Sequence, residues 1–190
     1  NRRRLCRLKI RLRKTLSAVK KDSLNTLVEA VKELRQRTGA GVVDCKNALS
    51  EADGNLEKAC EHLRIRGFAM AEKKAHRATT NGLVDSYIHT GKRVGAMVEV
   101  NCETDFVART DQFQQLTHDI AMQVTAMKPL YTSAQELPED SDTDPAGACL
   151  LQQPFIKDPS KTIDDVIKEV IAAVGENIRV RKFARFEVGD

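Results

Sequence analysis

Tryptophan is absent from this chain, and only six Phe and two Tyr stand among its 190 residues. A stacking platform for single-stranded nucleic acid needs successive aromatic faces, and the chain has too few to build one. Long apolar runs are missing as well. None approaches the roughly 20 residues a membrane-spanning helix requires, so no membrane partner is expected. The five cysteines, Cys6, Cys45, Cys60, Cys102 and Cys149, are odd in number and never spaced Cys-x-x-Cys. That pattern suits a reducing compartment and argues against both a disulfide framework and a zinc site. The four histidines, His62, His76, His89 and His118, are equally scattered, so neither a metal nor another cofactor is expected. No phosphate loop of the form Gly-x-x-x-x-Gly-Lys-Ser/Thr occurs, nor Gly-x-Gly-x-x-Gly, nor Gly-x-Ser-x-Gly. The two glycines of "TGAGVV" read as a tight inter-helix turn.

Charge of one sign is missing from one segment only. Residues 1–21 carry ten Lys/Arg and no Asp/Glu, leaving 21 basic against 27 acidic residues in the rest. The formal charge of +4 therefore hides an acidic body behind a basic tail. The leader at 1–23, Arg-rich and acid-free through Lys21, has the composition of an organelle transit segment. The alternative is an RNA-binding arm, because clustered cations displace counterions from phosphates.

What is present divides the remainder into parts. Residues 24–67 read as three short helices, the first with a stripe of Leu27, Val31 and Leu34 and a stop at Gly39. The second is "VVDCKNALSEA". The third, "NLEKACEHLRIRG", puts Leu56, Ala59, Cys60 and Leu63 on one face and ends at Gly67. Three helices in so few residues make a small bundle, close to the lower limit for independent stability and suited to docking on a partner. Residues 68–81 read as a basic helix or linker. From 82 to 190 the pattern is α+β. "GLVDSYIHT" and "RVGAMVEVN" form a hairpin around Thr90-Gly91-Lys92, with Val94, Ala96, Val98 and Val100 on one face. A helix follows through Phe113, Leu116, Ile120, Val124 and Met127. Residues 130–160, rich in Pro, Asp and Ser, read as a long loop. "TIDDVIKEVIAAVG" is a helix capped by Thr162 and ended by Gly175. "NIRVRKFARFEV" is a last strand with Ile178, Val180, Ala184 and Phe186 on one face. The expected architecture is an antiparallel three-stranded sheet with helices on one side.

The stretch "EVNCETDFVAR", Glu99–Arg109, concentrates chemistry. Cys102 with His118 as base would make a thiol nucleophile. However, Glu99, Glu103 and Asp105 surround it with negative charge, which disfavours the thiolate. Asp105 and Phe106 follow the end of a strand as an anion beside a large apolar side chain. They can act as a wedge and a competing charge in a partner's pocket. Alternatively, Phe106 is core and Asp105 a helix cap. Spacing weights the two equally.

"VEVNCETDFVAR", followed by the helix "FQQLTHDIAMQV", resembles the central signature of the elongation factor Ts family. "LVEAVKELRQRTGAGVVDCKNALSEADGNLEKACEHLRIRG" is similar to that family's N-terminal three-helix module of the ubiquitin-associated type, and "GENIRVRKFARFE" to its last core strand. "GLVDSYIHTG" and "QPFIKD" resemble cyanobacterial and plastid members. The resemblance covers about residues 24–190. It implies guanine nucleotide exchange on elongation factor Tu, without covalent chemistry, during protein biosynthesis. By resemblance, Thr104, Asp105, Phe106 and Val107 act on the GTPase to dislodge Mg²⁺, and the N-terminal module packs on the same nucleotide-binding domain. It also implies an organelle location, the plastid stroma ahead of the mitochondrial matrix or bacterial cytoplasm. Where longer members carry a duplicated core half, a coiled coil or a long charged segment, this chain has only "ELPEDSDTDPAGACLLQQ". Short members pair into homodimers that cover the sheet, and the same is expected here.

Overall fold

The computed structural model describes residues 26–138 and 143–189. The basic leader at 1–23 lies outside the described residues. The chain divides into two compact units, residues 1–64 and 65–190.

In the first unit, α1 (residues 26–38), α2 (Val42–Glu51) and the start of α3 (Leu56–Lys74) close around a small core. Leu34, Cys45, Ala48, Leu49, Ala52, Ala59 and Leu63 are its buried residues. Helical spacing marks out Leu34, Ala59 and Leu63 among them, with Val31, Leu56 and Cys60 partly buried against them, whereas Leu27 of the expected stripe is exposed. Arg37 ties the periphery together by donating to Glu33 within α1 and, at 2.9 Å, to Glu57 of α3.

Helix α3 does not stop at Gly67, as the sequence suggested, but runs on to Lys74. The glycine is there for clearance. A Cβ at this position would lie 2.7 Å from Cβ of Ala172, so its absence lets two helices of the second unit approach closely.

The second unit is built on three strands, β1 (Asn81–Ile88), β2 (Val94–Cys102) and β5 (Ile178–Glu187), with β2 in the centre and both pairings antiparallel. Strands β1 and β2 form the expected hairpin, with Leu83 opposite Val100 and Tyr87 opposite Ala96. Two helices follow β2: the single turn α4 (Asp105–Ala108) and the longer α5 (Asp111–Met127). Phe113, Leu116, Ile120 and Val124 of α5 bury against Ala96, Val98 and Val100 of β2, in one core with Ile163, Ile167 and Ile171 of α7 (Ile163–Val174). Thr162 caps α7 through a reciprocal capping box with Asp165, and Gly175 ends it at a φ of 79°, a conformation glycine adopts without strain.

The described residues of 130–160 are not a structureless loop. Tyr131 bridges Cys149, and α6 (Pro145–Ala148) is capped by Asp144. A small hairpin, β3 (Pro154–Phe155) with β4 (Asp158–Thr162), precedes α7. The Pro- and Asp-rich composition hides Ala148, Cys149, Leu150 and Phe155, which are all buried. It also hides Gln153, fully buried, whose side chain donates to the carbonyls of Gly147 (2.7 Å) and Met127 (3.4 Å). Apolar anchors and a satisfied amide order the segment where composition suggests none.

Strand β5 departs from simple alternation. Its register on β2 shifts between Glu99, opposite Lys182, and Val100, opposite Val180, leaving Arg181 as an extra residue. One inserted residue reverses the faces beyond it. Ile178 and Val180 face the helices as expected, but Phe183 then takes the inner side and Ala184 and Phe186 turn outward. Among the described residues of the second unit nothing covers the sheet's other face. It carries Val84, Ile88, Met97 and Phe186 as exposed apolar side chains. Among the described residues no helix is long and apolar enough to cross a membrane.

Candidate functional site: a clamped turn at the end of the central strand

Strand β2 ends at Cys102, and the chain turns at once into α4. Thr104, not Asp105, is the cap. Its backbone is extended (φ −128°, ψ 159°) and its hydroxyl accepts from the Val107 amide at 3.4 Å. A second cap follows, Thr110 accepting from Phe113 at the start of α5. Two caps six residues apart isolate a single helical turn. Within it the four residues of the signature divide sharply. Val107 is buried in the core of the second unit, whereas Phe106 is 78% exposed. Asp105 points outward and meets the exposed Arg109 guanidinium at 2.8 Å. The alternative in which Phe106 is core and Asp105 the cap does not hold.

The turn is clamped from a distant segment. Glu176, immediately after the left-handed Gly175, accepts from the Thr104 amide (2.9 Å) and from the Thr104 hydroxyl (2.6 Å). The next residue continues the contact: the Asn177 amide donates to the Glu103 carboxylate at 2.7 Å. Glu103 also pairs with Arg77 at 3.5 Å, and its carbonyl accepts from the Asn81 side chain at 2.7 Å. Asn177 is 2% exposed and donates through its side chain to the carbonyls of Arg77 (2.8 Å) and Ala75 (3.3 Å). Sequence inspection missed Glu176, Asn177, Asn81 and Arg77. Their only local signal is a Gly-Glu-Asn run after a helix, and nothing in it shows which turn it holds.

The thiol is buried within this framework. Cys102 is fully buried and its Sγ–H donates to the Thr104 carbonyl at 3.1 Å. Burial pushes the thiol pKa up, and the Glu176 charge adds to this ahead of Asp105. Glu99, expected beside the thiol, instead faces Lys182 across the strands at 3.5 Å. His118 is engaged elsewhere, with Asp85 at 3.1 Å and edge-on to Tyr87. Among the described residues no group of three or more His, Cys, Asp or Glu is arranged to hold a metal ion.

By sequence, the chain is similar to translation elongation factors. The family model described as "Elongation factor TS" matches residues 11–143 and 145–190, so the match begins inside the basic tail. The chain is 46% identical to elongation factor Ts of Carboxydothermus hydrogenoformans, over 85% of this chain and 88% of that protein. It is 46% identical to the same factor of Caldanaerobacter subterraneus, over 85% of this chain and 96% of that protein. It is 47% identical to that of Heliobacterium modesticaldum, over 84% of this chain and 88% of that protein. The chain belongs to the elongation factor Ts family. The first of these alignments spans 192 positions while covering 85% of this 190-residue chain. That relative therefore carries residues within the aligned stretch that this chain lacks. All three relatives are bacterial, and they give no support to a plastid or mitochondrial location.

Proposed function

We propose that this chain is a guanine nucleotide exchange factor. It docks on GDP-bound elongation factor Tu, dislodges Mg²⁺ and speeds GDP release so that GTP can enter. The observation that carries this is the division within the signature: Thr104 and Val107 are anchored, while Asp105 and Phe106 are presented to solvent on a braced turn. An exposed aromatic on a rigid support is suited to insertion into a partner's pocket, because little ordering entropy remains to be lost on binding. The adjacent carboxylate competes for a cation that neutralises bound phosphates. Weakening GDP through bound exchange factor requires GDP to weaken the factor by the same amount. A thousandfold loosening corresponds to about 4 kcal/mol. Burying Phe106 contributes roughly 1.5–3 kcal/mol, and losing Mg²⁺ beside the phosphates supplies the rest. No covalent step is involved. The three-helix module at 24–67 docks on the same nucleotide-binding domain. The deciding experiment is stopped-flow release of labelled GDP from the cognate GTPase with the Asp105→Ala, Phe106→Ala double variant. Stimulation should be lost while the fold persists, and unchanged stimulation rejects the mechanism.

We further infer that the open sheet face receives a second copy of the chain. Rows Ile88–Gly95–Phe186 and Ser86–Met97–Ala184 align across the three strands, and their exposed apolar members would be covered in a homodimer. Light scattering of the intact chain and of a Phe186→Asp variant tests this. A dimer that becomes a monomer on substitution is expected, and a monomeric parent rejects it. The alternative function, RNA or ribosome binding through the basic tail, rests on residues outside the described structure. A plastid location rests on "DSYIHTG", "QPFIKD" and that tail alone.

A further inference from the structure

We propose that Glu176 is the positioning residue of the Asp105–Phe106 turn, and that with Asn177 it fastens this turn to the segment leaving α3. The inference rests on the exchange reading of that turn. Three observations carry it. Glu176 is the only side chain with a described hydrogen bond to the Thr104 amide, and it grips the Thr104 hydroxyl as well. Thr104 in turn holds the Val107 amide, so the carboxylate fixes the cap of a helix too short to stabilise itself. Asn177 carries the link onward, through Glu103 to Arg77 and directly to the carbonyls of Ala75 and Arg77. Arg179 adds a second donor to the Ala75 carbonyl, at 2.7 Å. Segments far apart in the chain, Thr104 and Glu176 being 72 positions apart, thus meet at one joint. The apolar core beneath the turn is made by Val107 and Ala108, while the contacts of Glu176 and Asn177 there are hydrogen bonds.

The absence of tryptophan from the chain provides a probe. In a Phe106→Trp background, time-resolved anisotropy of the single indole reads the order of the turn without reference to exchange. Glu176→Ala should raise the amplitude of the fast nanosecond component about twofold. In the Phe106-containing chain the same substitution should lower the maximal stimulated GDP release about tenfold. The half-saturating concentration should stay within about twofold, because docking survives and only the fraction of chains with the turn in place falls. Glu176→Gln, which can accept from the Thr104 amide and donate to its hydroxyl, should restore most of both signals. If Glu176→Ala fails to fold, Thr104→Val removes the hydroxyl from the other side and should loosen the indole in the same sense. An unchanged anisotropy decay overturns the proposal whatever happens to exchange, and so does a Gln variant as loose as Ala. If instead the Asp105, Phe106 double variant exchanges normally, the functional reading falls while the indole probe still decides the role of Glu176.

Discussion

Phe106→Ala separates function from folding. In the free chain the ring is 78% exposed, so truncating it removes little buried surface. Substitutions of that kind change stability by about 0.5 kcal/mol or less, which is about 1–2 °C in Tm for a chain of this size. In the proposed complex the same ring is buried, and its loss costs roughly 1.5–3 kcal/mol. Converted at about 1.4 kcal/mol per decade, that is about a ten- to hundredfold loss of stimulated release. Asp105→Ala should be just as quiet in folding, because its ion pair with Arg109 joins two exposed groups, and such pairs are worth about 0–1 kcal/mol. The assay pairs stopped-flow release of labelled GDP at saturating exchange factor with thermal unfolding of the same preparation. Release within about twofold of the parent would refute the wedge. A Tm lower by more than about 5 °C would show that the ring supports the fold, and the reasoning from exposure would then fail.

The other predictions concern what lies beneath and beside the turn. Val107→Ala should behave oppositely to Phe106→Ala, lowering stability by about 1–3 kcal/mol in urea unfolding, since its side chain is in the core. Gly67→Ala gains about 1 kcal/mol of helix propensity but forces a Cβ to 2.7 Å from Ala172. Overpacking costs about 1–3 kcal/mol, so the net should be destabilising, and a higher Tm would contradict the close approach. Cys102 has its pKa raised by burial and by the charge of Glu176. At about pH 8 it should alkylate far more slowly than in denatured chain, with a rate still climbing above the usual thiol range; mass spectrometry of iodoacetamide-treated protein checks this. Removing residues 1–21 should leave GDP release unchanged and abolish any RNA binding seen in a filter assay.

Local pattern revealed the elements whose cause is local. Alternation of Val94, Ala96, Val98 and Val100 gives β2 its inner face, and Thr162 and Gly175 bound α7 by capping chemistry. It failed where distant partners decide. Gly67 looks like a stop until Ala172 is seen against it, and residues 130–160 look unstructured until Leu150 and Phe155 are found in the core. At the site, spacing could not say whether Phe106 is core or presented. Resemblance to a family picked out the four residues, and exposure resolved which two face outward. Glu176 was invisible because its partner is 72 residues away and no short-range pattern encodes the meeting.

The extra residue at Arg181 gives β5 a phase change, with consequences for how this strand can vary. Before it, odd-even order assigns side chains to one face of the sheet; after it, the assignment is reversed. Loss of that one residue would restore plain alternation and keep Phe183 under the helices and Phe186 in the open, because Val180 and Lys182 already sit opposite the neighbouring residues Val100 and Glu99. Pairing Arg181 into the ladder, with no residue bulged out, would instead exchange inside for outside along the last half of the strand. The unpaired state of Arg181, more than its chemistry, is what keeps the two halves of β5 facing as they do.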